Sequence, residues 1–311
     1  VLRQFFTRLL PVVDALVQED YELICIDDGS TDDTLSILMQ MAKANPRLRV
    51  IELSRNFGKE AALTAGIEYA AGQAVIPIDA DLQDPPELIH DMFAEWKKGA
   101  DVVLARRSNR DSDSLLKRQS SRWFYRFYNK LSNTHLPDNV GDFRLMDRMV
   151  VDAVRALPER QRFMKGIFAW VGFKTVTVDY TRAPRAGGRT KFTGWRLWNF
   201  ALEGITSFTT IPLRVWTYIG LVGAGLSALY ACFIILRTLI SGVDVPGYAS
   251  LLVAVLFMGS MQLVSVGLIG EYIGRLYVEA KRRPIFIVRR TIGFDSGSSR
   301  NEASGSNHGA K

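Results

Sequence analysis

With 311 residues and 48% apolar composition, the chain can hold a full α/β domain and a second, more apolar part. Its two cysteines, Cys25 in a predicted strand and Cys232 in an apolar run, exclude a disulfide framework, and His90, His135 and His308 lack metal-ligand spacing. A net charge of +7 is compatible with nucleic acid, anionic lipid or phosphorylated ligands.

Strand-like and helix-like patterns alternate from Val1 to about Tyr180, which predicts a doubly wound sheet with helices on both faces. Helices are expected at Val1–Val17, Asp32–Ala44, Glu60–Ala71 and Glu87–Lys98. Strands are expected at Glu22–Asp27, Arg49–Ser54, Ala74–Asp79, Asp101–Ala105 and Lys174–Tyr180. Because the chain opens on Val1 rather than Met, with no signal peptide, a fragment is expected. Ligands of such sheets bind beyond the carboxyl ends of the strands, and four successive strand ends carry polar clusters. These are Asp27 to Ser30, Arg55 to Lys59, Asp79 to Asp84, and Arg106 with Arg107.

At Ile24–Asp33 (ICIDDGSTDD), Ser30 or Thr31 can cap the next helix. The surplus carboxylates Asp27 and Asp28 could accept hydrogen bonds from a base N–H or from ribose hydroxyls. In Ile76–Pro86 (IPIDADLQDPP), Asp79 and Asp81 share one side of an extended chain, and a bend after Ala80 brings in Gln83 or Asp84. Hard oxygen ligands suit Mg²⁺ or Mn²⁺, while the bland alternative is an acidic turn with prolines opening a helix. Around Leu115–Leu131, Arg118, Arg122, Arg126 and Lys130 recur every four residues beside an aromatic face, which suits an anionic ligand, a membrane surface or plain solvation. Gly141-Asp142-Phe143-Arg144 sets a carboxylate by a guanidinium, readable as a structural ion pair. Arg182–Lys191 (RAPRAGGRTK) is basic, with a glycine pair for freedom, and reads as a lid over phosphates or as a lipid-facing segment.

Phe192, Trp195, Trp198 and Phe200 predict an interfacial helix ahead of two uncharged runs, Val215–Leu236 and Tyr248–Gly270. Arg214 precedes the pair, and Arg275, Lys281, Arg282 and Arg283 follow it. The positive-inside rule then makes both flanks cytoplasmic and the pair a transmembrane hairpin. The expected organisation is a cytoplasmic α/β domain at 1–191, an interfacial segment at 192–212 and the spans within 213–274. A basic segment with a short strand follows at 275–292, and a disordered tail at 293–311.

Together, DDGSTD, RNFGK, DADLQDPP, GDFRL, the R-x-x-G-x-T-K loop and the two-span hairpin resemble the family-2 glycosyltransferases of the polyprenyl-phosphate type. The likeness runs from Val1 to about Arg290 and looks nearest to the bactoprenol glucosyltransferases. It implies a GT-A (Rossmann-like) fold and inverting transfer of one sugar, glucose from UDP-glucose, to undecaprenyl or another polyprenyl phosphate. GDP-mannose as donor, or an inactive membrane-bound scaffold, are the alternatives. The resemblance implies catalytic roles for Asp142 and Arg144 and nucleotide-sugar contacts from Asp27, Asp28, Lys59, Asp79, Arg185 and Lys191. It further implies Mg²⁺ or Mn²⁺ on Asp79, Asp81 and Gln83, and an acceptor phosphate on Arg107, Arg118, Arg122 and Arg126. The partners so implied are a nucleotide sugar, polyprenyl phosphate and membrane lipid at a bacterial inner membrane. A homo-oligomer is compatible, and nucleic acid is excluded because the positive charge gathers by the spans and the metal site.

Two departures stand out. The family opens on a strand and a P-x-Y-N-E stretch, so a central strand ahead of Val1 is expected to be missing. Gln119-Ser120-Ser121-Arg122-Trp123 spells the Q-x-x-R-W of processive synthases, and its early position makes it a coincidence.

Overall fold

The computed structural model describes residues 1–108, 140–160, 162–181, 211–241 and 247–294. Helix α1 (Leu2–Val17) turns Phe5, Phe6, Leu9 and Val12 inward and leads to β1 (Leu23–Asp27). There follow α2 (Thr34–Ala44), β2 (Leu48–Leu53), α3 (Lys59–Tyr69), β3 (Ala74–Val75) and α4 (Ile89–Lys97), the last entered by a 3-10 turn with Pro86 at its start. Then come β4 (Val102–Arg107), β5 (Val140–Asp147), α5 (Arg148–Ala156), α6 (Met164–Trp170) and β6 (Thr175–Tyr180). Two long helices, α7 (Ile211–Ser241) and α8 (Tyr248–Ala280), precede β7 (Val288–Ile292).

The strands form two sheets, β1-β2-β7 and β3-β5-β4-β6. Strands β1 and β2 are parallel and joined through α2, and β4 and β6 are also parallel, whereas β5 runs antiparallel to both β3 and β4. The sheet is therefore mixed. The expected strand at Ala74–Asp79 pairs over Ala74 and Val75 alone. The remaining stretch, Ile76–Asp79, faces β1 across a cavity of about 930 Å³, which Leu23, Ile24, Cys25 and Ile26 line from the other side. Among the described residues β1 has one ladder partner, β2, so its opposite edge is open to this cavity.

Alternation along β5 decides where its polar groups go. Phe143 and Leu145 enter the core under α1 and α4, while Val140 and Met146 enter a second core with α5 and α6. Asp142 and Arg144 share the parity of the second set, so they lie on the α6 side. Asp147 then ends the strand by capping α5, its Oδ1 accepting from the Met149 N–H at 3.0 Å and its Oδ2 from Trp96 Nε1 at 2.8 Å.

At about 1.5 Å per residue, α7 and α8 are each roughly 45–50 Å long. They expose Leu226, Leu229 and Phe233 on α7 and Phe257, Leu263 and Leu276 on α8. Over the described residues alone, no helix is long and apolar enough to cross a membrane. In the full sequence, no charge interrupts Val215–Leu236. After α8 the chain returns to the α/β domain. Strand β7 pairs antiparallel with β2, and the buried Glu52 takes Arg290 at 2.7 Å and Arg289 at 3.2 Å. The short strand expected within 275–292 is thus the outer strand of the first sheet.

Candidate active site

The site is assembled from strand ends. At the end of β1, Gly29 has φ 69°, and a Cβ there would lie 2.7 Å from the Asn56 nitrogen, so only glycine lets the two loops meet. Asp28 fastens them. Its Oδ1 accepts from the Phe57 N–H at 2.7 Å and its Oδ2 from the Gly58 N–H at 2.9 Å, while Asn56 Nδ2 donates to the Asp28 carbonyl. Asp27 is buried. Its Oδ2 takes a long bond from the Ser30 N–H, and its Oδ1 has no partner among the described residues, an acceptor suited to a ligand N–H or O–H.

Gly58, with φ 96°, opens α3, and the first residue of that helix carries the central contact. Lys59 Nζ lies 2.7 Å from Asp79 Oδ2 and 2.8 Å from Asp142 Oδ2. Burial opposes the charge on Lys59, but Asp142 and Asp79 outweigh it and hold the ammonium above its usual range. Burial likewise opposes ionisation of Asp142, and Lys59 and Lys165 more than compensate, so its carboxyl sits below its ordinary value. Neighbouring Glu60 goes the other way. Burial and the Asp142 charge push it up to about 7, although its Oε2 accepts from the Met164 N–H at 3.1 Å.

Arg144 is buried. Burial lowers it to about 10, its Nη2 donates to the Gly141 carbonyl at 2.8 Å, and its guanidinium stacks 4.1 Å from the Phe168 ring centroid. Its Nε has no partner among the described residues. Arg107 Nε donates to Tyr180 Oη at 3.3 Å, and Tyr180 donates in turn to Asp84 Oδ1. Burial first, then Asp84, pushes Tyr180 up to about 12. Adjacent Arg106 turns outward to pair with Asp179.

The acidic turn is tight. Asp81 Oδ1 accepts from the Gln83 N–H at 3.0 Å, and Leu82 between them has φ 62°. Of the two candidates for a third ligand, Asp84 is buried against Tyr180, which leaves Gln83 beside Asp81. No group of three His, Cys, Asp or Glu that could hold a metal occurs among the described residues. Asp79 and Asp81 nonetheless fit the manner in which Mg²⁺ binds through one or two carboxylates and is completed by substrate phosphates.

The structure thus brings Lys59, Asp79, Asp142, Arg144 and Arg107 into one region, with Asp27 and Asp28 at the neighbouring strand end. Arg118, Arg122, Arg126, Arg185 and Lys191 lie outside the described residues. Sequence reasoning missed Glu60, Lys165 and Tyr180. Glu60 follows Lys59 directly and had a positional signal; Lys165, in the apolar stretch FMKGIF, had none.

A mixed-sheet α/β domain with carboxylates and cations gathered at its strand ends is followed by two long apolar helices, an arrangement suited to phosphorylated ligands. Residues 5–155 match Glycosyl transferase family 2, and residues 211–276 match the GtrB C-terminal hairpin. The chain is 52% identical to an uncharacterized glycosyltransferase, sll0501, of Synechocystis over 94% of its own length and 92% of the relative's. It is also 52% identical to a prophage bactoprenol glucosyl transferase homolog of Escherichia coli, covering 92% of this chain and 93% of that one. With the SfII prophage-derived bactoprenol glucosyl transferase of Shigella flexneri it shares 53% identity over 88% of each. The chain belongs to glycosyltransferase family 2, carries the GtrB-type C-terminal hairpin, and is an enzyme of that family.

Proposed function

We propose that the protein transfers a single glucose, with inversion, from UDP-glucose to undecaprenyl or a related polyprenyl phosphate at the cytoplasmic face of a bacterial inner membrane. The observation that carries this reading is Lys59 held between Asp79 and Asp142, in a chain that ends in two long apolar helices. The names of the Escherichia coli and Shigella relatives support the lipid acceptor and the sugar. Arg214 in the first turn of α7, Arg275 near the end of α8, and Lys281, Arg282 and Arg283 just after it flank the uncharged runs and support a two-span hairpin with both flanks cytoplasmic.

In the reaction, an acceptor phosphate oxygen bonds to the sugar C1 as the bond from C1 to the donor diphosphate breaks. Two phosphorylated reactants repel, and bringing them within about 3–3.5 Å needs compensating cations. Lys59 and Arg144, joined by Arg107 and by Arg118, Arg122 and Arg126 of the basic stripe in the sequence, supply them. Arg185 and Lys191 add two further cations for the phosphates. Asp27 takes the nucleoside through its unpaired oxygen, and Asp28 acts by holding the Asn56–Gly58 turn. Divalent-metal dependence is common in this family; Asp79 and Asp81, with Gln83, would hold Mg²⁺ or Mn²⁺, which when bound offsets the charge of the departing diphosphate.

Asp142 organises charge. A phosphate monoester with a second pKa of about 6 is already ionised at pH 7, so no strong base is required. The test is to incubate membranes containing the protein with undecaprenyl phosphate and a panel of labelled nucleotide sugars. Label from UDP-glucose should enter lipid; label from GDP-mannose alone would shift the donor, and failure with every donor would overturn the reading.

A further inference from the structure

Four cations gather near β5: Lys59, Arg144 and Lys165 act on Asp142, and Arg107 acts on Lys165. Three have partners of their own. Lys59 is shared between two carboxylates, Arg107 bonds Tyr180, and Arg144 bonds the Gly141 carbonyl and stacks on Phe168. Lys165, the second residue of α6, makes no hydrogen bond or ion pair among the described residues. It is half-buried and feels Asp142, Lys59, Arg107 and Arg144 at longer range.

Its place is fixed by α6. The Met164 N–H is held by Glu60, Met164 Sδ lies 3.8 Å from Thr64 Oγ1, and Phe168 packs on Arg144. The side chain is thus presented on the Asp142 and Arg144 side of the site. Burial and the three like charges depress its pKa, with Asp142 opposing. Arg144 Nε is buried with no partner among the described residues, and the half-buried Lys165 ammonium belongs to the same cationic group, so an arriving anion meets two donors without protein partners.

We infer that Lys165 binds the phosphate monoester of the acceptor, together with Arg107 and Arg144, and is a catalytic residue of the reaction proposed above. This rests on the polyprenyl-phosphate reading. Its grouping with Arg107, which the functional reading places on the acceptor, assigns it to the acceptor phosphate rather than to the donor diphosphate.

The test uses the full-length chain in detergent or nanodiscs, with Lys165→Met and Lys165→Arg. Two quantities are read: KM for each substrate, and calorimetric binding of a short-chain prenyl monophosphate and of UDP. In Lys165→Met, the acceptor KM should rise on the order of tenfold or more, the loss of one charge-assisted hydrogen bond. Prenyl phosphate affinity should fall in parallel, UDP affinity should stay within about twofold, and Lys165→Arg should recover most of the difference. Thermal stability should hold or rise, because an unpaired, partly buried cation has gone. Unchanged prenyl phosphate affinity in Lys165→Met, or equal losses for acceptor and UDP, would overturn the inference while leaving the functional reading in place. A wild-type protein that binds UDP but neither binds nor glycosylates any prenyl phosphate would overturn both.

Discussion

Two carboxylates on neighbouring elements, Asp142 and Glu60, experience the same burial and answer in opposite directions. Asp142 has Lys59 at 2.8 Å and stays ionised; Glu60 faces Asp142, with Lys59 and Lys165 acting at longer range, and is held near 7. Each assignment has a consequence in pH. If Asp142 orders charge without removing a proton, the rise of activity with pH follows the acceptor's second ionisation near about 6. Asp142→Asn is then expected to lower kcat by tenfold or more, on the order of one charged contact, yet leave that inflection where it was. Loss of the inflection in the pH–rate profile would assign the base to Asp142 after all. Glu60 affects stability instead. Its ordinary value is 4.5 and its folded value about 7, so the folded state holds the proton more tightly. The contribution is fully present below about 4.5 and is lost as pH rises through about 7, on the order of 3 kcal/mol. Unfolding profiles from pH 5 to 8 should therefore fall more steeply for the wild type than for Glu60→Gln, whose amide oxygen can still accept from Met164. Parallel profiles would contradict the shift.

At the level of elements, the sequence disclosed what periodicity can express. Strands β1, β2, β4 and β6 and helices α1 to α4 fall within a residue or two of expectation, because each is bounded by turn residues and has one apolar face. It did not disclose that the GDFR motif is a strand. Val140–Asp147 carries Asp142 and Arg144 on the parity of its second core, so polar residues occupy positions that a pattern reader gives to loops. Ala74–Asp79 was legible as a strand and is only partly one, since ladder pairing depends on a neighbour the pattern cannot see. Strand β7, expected within 275–292, is a short basic stretch made regular by β2. It covers the outer edge of β2, and Phe286, Val288 and Phe294 pack on Ile51, Leu53 and Ala65. Ending the chain at Arg283 should expose that edge and leave the buried Glu52 without both arginines. A fall in unfolding temperature of several degrees and faster amide exchange across β2 are expected, with unchanged exchange in β4; uniform protection would show that β7 adds nothing.

Over the whole molecule, the catalytic domain is tied to the helical part twice. Strand β7 joins the first sheet, and Glu279 near the end of α8 accepts from the Arg160 N–H at 2.9 and 3.1 Å, just ahead of α6 and its Lys165. Among the described residues, no strand joins the two sheets between these ties. Between β1 and Ile76–Asp79 lies the cavity of about 930 Å³, with room for one added extended segment. Its walls suit one: Leu23 to Ile26 offer an open ladder edge, and Ile76 and Ile78 face them from the other side. Cys25 lies in this wall, with its thiol pushed up to about 12 by burial, so it reacts slowly and its labelling reports access to the cavity. An apolar extended segment of five residues, the length of β1, joined ahead of Val1 through a short turn should therefore pair with β1. With Cys232 changed to Ser, the expected outcome is slower labelling of Cys25, slower amide exchange at Leu23–Ile26 and Ile76–Ile78, and tighter UDP binding as Asp27 and Asp79 are held by one continuous sheet. Labelling and exchange as fast as in the unextended chain would show that the cavity does not take a strand.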